Sequence, residues 1–177
     1  LFAALLLTWS FALVEAVAGW QGGSLALLAD AGHMVTDGAA LGLALLAAWV
    51  AARPPSARHS YGFGRAELFA ALLNALAMLA VVFGIGIGAW DRFESPRPVA
   101  GALVSAVAVG GLGVNLFVAW MLSHGQHNMN VRGAFLHVLG DVLGSVAAIV
   151  AGLVVWATGW TPIDPLLSLL IGGLVLA

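Results

Sequence analysis

Two short motifs in otherwise apolar stretches pair a histidine with an aspartate at a spacing that suits metal binding. The first is His33-x-x-x-Asp37 and the second is His137-x-x-x-Asp141. Residues four apart on a helix lie on one face, about 5–6 Å apart at Cβ, so both side chains of a motif can bind one ion. Two such helices that face each other would supply two imidazoles and two carboxylates, a tetrahedral ligand set for Zn²⁺.

The donor types indicate which ions such a site would take. Imidazole favours a borderline cation over Mg²⁺ or Ca²⁺, which prefer oxygen ligands. Zn²⁺ is therefore the predicted ion, and Cd²⁺, Co²⁺, Ni²⁺ and Fe²⁺ are alternatives. The chain has no cysteine, so thiolate ligands are excluded. The competing interpretation gives each His and Asp a structural partner on a neighbouring helix. Two copies of the motif, with no other histidine in an apolar run, favour a shared metal site.

Other polar residues have more than one interpretation. Asp30 lies one turn before His33, where it would contact a ligand, line the mouth of the site or suit the helix start. His59, His124 and His127 lie in loops, where ion binding and simple solvation are both open. Polar residues inside apolar runs are predicted to hydrogen-bond between helices, with a role at the ion as the alternative; these are Glu15, Asn74, Asn115 and Ser145.

The composition shows which solvent surrounds these motifs. Of the 177 residues, 62% are hydrophobic and 8% are charged, whereas a globular domain carries about 25% charged residues. The formal net charge is -2, and all six basic residues are arginine. These values exclude an ordinary soluble domain, and they lack the basic stripe of a nucleic-acid-binding protein. The surface must therefore be solvated mainly by the lipid bilayer.

Six apolar runs predict an all-α, polytopic membrane protein with six transmembrane helices. A span needs about 20 residues, and its backbone groups must pair internally, which selects helices. The sixth run has only 12 residues and is predicted to be truncated. Asp164 before Pro165 is predicted to cap this sixth helix. The runs are Leu1–Trp20, Leu25–Val50, Leu68–Trp90, Val99–Leu122, Val131–Trp156 and Leu166–Ala177.

Charge and repetition predict the topology. The second and fourth connections carry four arginines and the third carries two, so the positive-inside rule places both termini in the cytoplasm. Each half of three helices carries one His-x-x-x-Asp motif on its middle helix. This arrangement suggests a 3+3 inverted repeat with a site between the halves, as in many transporters. Tryptophans near helix ends are predicted to anchor the membrane interface: Trp20, Trp90, Trp156 and Trp160.

Three segments resemble the zinc-transporting branch of the cation diffusion facilitator family. They are Leu-Leu-Ala-Asp30-Ala-Gly-His33-Met-Val-Thr-Asp37, then His59-Ser-Tyr-Gly-Phe-Gly-Arg65-Ala-Glu67, then His137-Val-Leu-Gly-Asp141. The resemblance covers essentially the whole chain, residues 1–177, as a transmembrane cation efflux domain. It implies a multi-pass protein of the cell inner or plasma membrane that expels Zn²⁺ from the cytoplasm in exchange for protons, usually as a homodimer. Members usually continue into a cytoplasmic metal-binding domain, which is absent from this sequence.

The resemblance places the transport-site ligands on His33, Asp37, His137 and Asp141, with Zn²⁺ as substrate and no organic cofactor. Metal ligands must be deprotonated, so protons compete with the metal. Because the sequence reveals no other buried titratable pair beside the motifs, proton exchange is predicted at the ligands themselves. An intramembrane zinc enzyme would need an open metal position and a nearby base. A transporter is therefore predicted, and not an enzyme; a membrane scaffold with a structural metal is the third alternative.

Overall fold

The computed structural model describes residues 2–51, 65–123 and 129–175. Each of the six predicted runs forms a helix, and no strand occurs among the described residues. The prediction of an all-α polytopic protein is confirmed. The helices are α1 (Phe2–Gly22), α2 (Leu25–Ala51), α3 (Arg65–Glu94), α4 (Gly101–Ser123), α5 (Met129–Thr158) and α6 (Ile163–Val175).

The helices continue a few residues beyond the apolar runs, because polar residues can prolong a helix outside the hydrocarbon. Three described segments are long and apolar enough to cross a bilayer: Leu68–Glu94, Gly101–Met121 and His137–Thr158. Together with the composition, they make this an integral membrane protein. The segment in α3 is the most peripheral, since only 6% of its most apolar window is buried, against 50% for the window in α5.

The helix contacts put α2 at the centre of the bundle. It packs against α1, α3, α5 and α6, whereas α4 packs against α5 and α1. The residues at the centre of the core are small, with Ala26, Ala29 and Ala148 fully buried, so the helices approach one another closely. Each helix of the first half also contacts its counterpart in the second: α1 with α4, α2 with α5, and α3 with α6. Such contacts accord with the inverted repeat, which stays a prediction.

One end of the bundle, here called the connecting end, holds the turns at residues 23–24, 95–100 and 159–162. Gly23 and Gly159 have φ of 65° and 70°, the left-handed conformation that glycine adopts without strain. A side chain on Gly23 would also approach the Pro98 carbonyl oxygen to 2.7 Å. All four predicted interfacial tryptophans lie near this end and are exposed: Trp20, Trp90, Trp156 and Trp160. The opposite end is called the terminal end.

Asp164 has a different role from the one predicted. It lies in the first turn of α6, but its carboxylate accepts hydrogen bonds from the Ser24 hydroxyl at 2.5 Å and the backbone N–H groups of Leu25 and Ala26 at 2.6 and 3.3 Å. It therefore caps the N-terminus of α2, where an anion is stabilised by the helix dipole. Arg92, near the end of α3, forms an ion pair with the same carboxylate at 2.9 Å. Three helix ends are thus joined at one buried group.

Close helix approach occurs at glycines that the sequence patterns did not single out. A Cβ on Gly101 would lie 2.5 Å from the carbonyl oxygen of Gly152, so α4 and α5 touch backbone to backbone there. The sequence also contains Gly-x-x-x-Gly patterns at 38/42 and 140/144, a spacing that predicts two such faces. Gly42 and Gly140 have open space around them, so that interpretation is wrong for these two positions.

Candidate metal centre

The four residues of the paired motifs lie together. α2 carries His33 and Asp37, α5 carries His137 and Asp141, and one ligand atom from each lies within 4.8 Å of the others. The motif spacing aligns each pair on its own helix, and the contact between α2 and α5 brings the two pairs together. The structure therefore places all four predicted ligands in one cluster, here called the His/Asp cluster.

Asp37 is the nearest neighbour of both imidazoles. Its Oδ2 lies 3.0 Å from His33 Nδ1 and 3.0 Å from His137 Nε2. The second nitrogen of His33, Nε2, lies 3.5 Å from Asp141 Oδ1. The two rings are inclined at 64°, with their centroids 5.4 Å apart. His33 thus lies between the two carboxylates, and Asp37 lies between the two imidazoles.

Apart from these mutual contacts, several of the close atoms have no partner within the described part of the chain. His33 Nδ1, Asp37 Oδ2 and Asp141 Oδ1 are buried, and no described residue outside the His/Asp cluster hydrogen-bonds to them. Buried polar atoms are normally paired, so unpaired ones call for an explanation. A cation among two imidazole nitrogens and two carboxylates would satisfy them, and this donor set is typical of tetrahedral Zn²⁺.

Access to the His/Asp cluster changes along the bundle axis. On α5, the exposed fraction of the side chain is 4% at Asp141 and 44% at His137, nearer the terminal end. On α2, it rises from 11% at His33 to 19% at Asp37, again toward the terminal end. Toward the connecting end, Glu15, Asp30 and Ser145 are all buried. Exposure within the cluster therefore increases toward the terminal end, whereas the polar side chains toward the connecting end are buried.

The structure narrows the alternatives for Asp30. The residue is 1% exposed, so it does not line the mouth of the site. Its Oδ2 accepts a hydrogen bond from the Ser145 hydroxyl at 3.4 Å, while its Oδ1 has no described partner. Ser145 Oγ in turn accepts a hydrogen bond from the Asn115 amide at 3.1 Å. The predicted hydrogen bonding between helices is confirmed for Asn115 and Ser145.

Glu15 departs from the same prediction. Its side chain on α1 is 0% exposed, and neither carboxylate oxygen has a hydrogen-bond partner among the described residues. The signal for this residue was present in the sequence as a lone carboxylate in an apolar run, but nothing there showed that it would be unpaired. The loop histidines His59, His124 and His127 lie outside the described residues.

Comparison with known families identifies the family to which this chain belongs. The sequence model of the cation efflux transmembrane domain matches residues 1–177. This chain belongs to the cation efflux family. Its resemblance to the cation diffusion facilitators, predicted from the three segments, is thereby confirmed.

Curated relatives of the cation efflux family share much of the sequence. The zinc transporter ZitB of Escherichia coli (strain K12) is 53% identical over 171 residues, which are 96% of this chain and 55% of the relative. ZitB of Yersinia pestis is 49% identical over 99% of this chain and 57% of the relative. The cadmium, cobalt and zinc/H(+)-K(+) antiporter of Bacillus subtilis (strain 168) is 40% identical over 94% of this chain and 54% of the relative. The chain thus spans about half the length of these relatives.

Proposed function

We propose that this chain is the membrane domain of a transporter that expels Zn²⁺ from the cytoplasm in exchange for protons. The observation that carries the proposal is the convergence of His33, Asp37, His137 and Asp141, with buried and unpaired ligand atoms, inside a membrane bundle. The names of the relatives support it, since they describe zinc transporters and an antiporter. Zn²⁺ is here the cargo, held by these four side chains.

The chemistry of the ligands supports exchange. Imidazole binds metal only when neutral, and carboxylate only when ionised, so protons and Zn²⁺ compete for the same four side chains. Exchange also lowers the electrical work, because moving one charge against 100 mV costs about 2.3 kcal/mol and each incoming proton returns that amount. Protons bound from one side and Zn²⁺ from the other would then alternate.

The access gradient supports a direction of loading. Exposure in the His/Asp cluster increases toward the terminal end, and the arginine distribution predicts that this end faces the cytoplasm. We therefore propose that the described conformation is the one that receives Zn²⁺ from the cytoplasm. We also propose the cell inner or plasma membrane, a homodimer, and Cd²⁺ or Co²⁺ as further cargo, in line with the printed name of the Bacillus relative.

The other two functions are less well supported. An intramembrane enzyme would leave one zinc position for water and place a general base beside it, whereas all four positions here are supplied by side chains. A structural metal would not need to exchange with protons or to be open to solvent. The 44% exposure of His137 argues for a site that loads and releases its ion.

A flux assay with the full-length protein in sealed vesicles tests the proposal. Wild type should accumulate Zn²⁺ faster when a pH gradient is imposed, and Asp37→Ala and Asp141→Ala should abolish the uptake because three ligands cannot keep the closed geometry. Asp91→Ala is the matched control, since Asp91 is 53% exposed and pairs only with Arg97 among the described residues. Wild-type uptake in either cluster variant would refute the shared site. Uptake that ignores the pH gradient would refute proton exchange.

A further inference from the structure

Two buried carboxylates lie outside the His/Asp cluster and lack the partners that buried charges require. Glu15 on α1 and Asp30 on α2 are 0% and 1% exposed. Both oxygens of Glu15 and Oδ1 of Asp30 have no hydrogen-bond partner among the described residues. The charged groups that act most strongly on Glu15 are Asp30 and Asp141, which are themselves acidic. An ionised Glu15 would therefore be repelled by two further carboxylates and would have no positive side chain beside it in the described part of the chain.

Two glycines make room for these carboxylates. A Cβ on Gly111 of α4 would collide with Glu15 Oε1, and a Cβ on Gly144 of α5 would lie 2.6 Å from Asp30 Oδ1. The neighbouring polar groups supply further oxygen, with Ser145 bonded to Asp30 and to the Asn115 amide. Gly111 and Asn115 lie four residues apart on α4, so Glu15 and the hydrogen bonds that link Asn115, Ser145 and Asp30 lie beside one face of that helix. These side chains are here called the Glu15/Asp30 site.

A small cavity lies on the Asp30 side of this site, between α2, α5 and α6. It has a volume of about 30 Å³, touches Asp30 and His33, and is bounded by Gly140 and Gly144 of α5 and by Ile171 and Leu174 of α6. A water molecule needs about 10–15 Å³, so the cavity is large enough for a water molecule or a small cation. An ion can therefore lie against Asp30 without displacing a side chain.

Charge balance requires a cation from solution, which can be a proton on a carboxyl group. The two sites together contain four carboxylates: Glu15, Asp30, Asp37 and Asp141. One Zn²⁺ in the His/Asp cluster would neutralise two of these charges, with both imidazoles neutral. Helices α1, α2 and α4 contain no lysine or arginine, and an unpaired buried carboxylate is strongly unfavourable. Positive charge must therefore come from solution.

We propose that Glu15 and Asp30, with Ser145 and Asn115, form a second cation site that binds a small monovalent cation and not Zn²⁺. The donors are oxygen atoms only, which suit hard cations, whereas Zn²⁺ is better served by the imidazoles of the neighbouring cluster. A proton bonded to one carboxylate oxygen, or an alkali-metal ion coordinated by several oxygens, would supply the missing positive charge. Resting on the proposed transport function, the cation in this site moves opposite to Zn²⁺, alongside the protons that compete at the His/Asp cluster.

This inference changes the expectation about coupling. Proton exchange at the ligands was predicted because no other buried titratable pair was evident beside the motifs. The Glu15/Asp30 site is such a pair. Besides Asp30, the titratable groups on α2 are His33 and Asp37. Helix α4, which also packs against α1, contributes no titratable residue.

Thermal unfolding of the full-length, zinc-free protein tests the site without transport. In choline buffer at pH 8, Glu15→Gln should unfold at a higher temperature than wild type, because the amide carries no charge to neutralise. Adding KCl or NaCl in place of choline chloride, or lowering the pH, should raise the wild-type Tm, since a ligand that binds the native state stabilises it. The condition that raises the Tm, whether a salt or a lower pH, identifies the cation. Glu15→Gln should not show this rise in Tm, whereas Glu94→Gln, a control at an exposed position, should show it.

Paired glycine substitutions test the geometry with the carboxylates intact. Gly111→Ala should shift the Glu15 carboxylate and weaken the affinity for the cation about tenfold, a usual cost of a change beside the ligands of an ion. The rise in Tm should then need about ten times more of the cation. Gly113→Ala, on the same helix with nothing within 4 Å, should respond like wild type. The site is refuted if Glu15→Gln is less stable than wild type in choline buffer. It is also refuted if the Tm of Glu15→Gln and the Tm of wild type change alike with KCl, with NaCl and with pH.

Zn²⁺ flux in vesicles tests the coupling role. Glu15→Gln should keep a Zn²⁺ affinity within about threefold of wild type, since it is not a zinc ligand, yet lose the stimulation by the gradient of the identified cation. Unchanged stimulation would refute the coupling role. A much weaker Zn²⁺ affinity would refute the separation of the two sites. Wild-type vesicles that move no Zn²⁺, with the thermal response intact, would instead refute the proposed function and leave the second site standing.

Discussion

Single alanine substitutions in the His/Asp cluster should weaken Zn²⁺ binding in an order set by burial. Four-ligand zinc sites bind with about 10–16 kcal/mol, so one ligand contributes about 2.5–4 kcal/mol, or about 100- to 1000-fold in Kd. Asp141 is 4% exposed, and water cannot readily take its place, so Asp141→Ala should show the full loss. His137 is 44% exposed, and a water can complete the coordination as in three-ligand catalytic sites, so His137→Ala should lose only about tenfold.

The assay is competition with a chelator of known affinity, using the full-length protein in detergent. Asp91→Ala, at an exposed position, serves as the control for introducing alanine in place of aspartate. Thermal unfolding of each zinc-free variant checks that the bundle is intact. Equal losses at Asp141 and His137, or a larger loss at His137, would refute the link between exposure and ligand replacement.

Three further predictions concern packing, the buried ion pair and pH. Gly38→Ala should destabilise the protein by about 1–3 kcal/mol in a thermal unfolding assay, because the added methyl group would collide with the Trp9 indole. Gly42→Ala, in open space, should change the free energy of unfolding by under about 1 kcal/mol. Asp164→Asn should cost about 3–5 kcal/mol in the same assay by leaving Arg92 without its buried partner, and an unchanged Tm would contradict this role. Zn²⁺ affinity should fall as the pH drops below about 6.5, by about tenfold per pH unit for each proton that competes. Calorimetry in two buffers of different ionisation enthalpy counts the protons released when Zn²⁺ binds. Zero release from pH 5.5 to 7.5 would exclude the competition.

The features that follow from local chemistry could be predicted from the sequence. Apolar runs identified all six helices, and the i, i+4 spacing of His33 with Asp37, and of His137 with Asp141, placed each pair on one face. Features that depend on which helices touch were harder to predict. Asp164 stands where a helix cap is expected, yet it caps α2, because the first turn of α6 packs beside the start of that helix. The unpaired state of Glu15 likewise emerges only when α1 is set against α2 and α4.

The position of Asp164 has a consequence for how the chain is assembled in the membrane. The Ser24 hydroxyl and the carboxylate that receives its hydrogen bond are separated by 140 residues. During synthesis, α2 must therefore enter the bilayer with the N–H groups of Leu25 and Ala26 uncapped, and Arg92 with no acidic partner from α6. The bonds that join the three helix ends form only when the last helix arrives. A chain released before residue 164 would lack these bonds, and quality-control proteases would recognise it as incompletely folded.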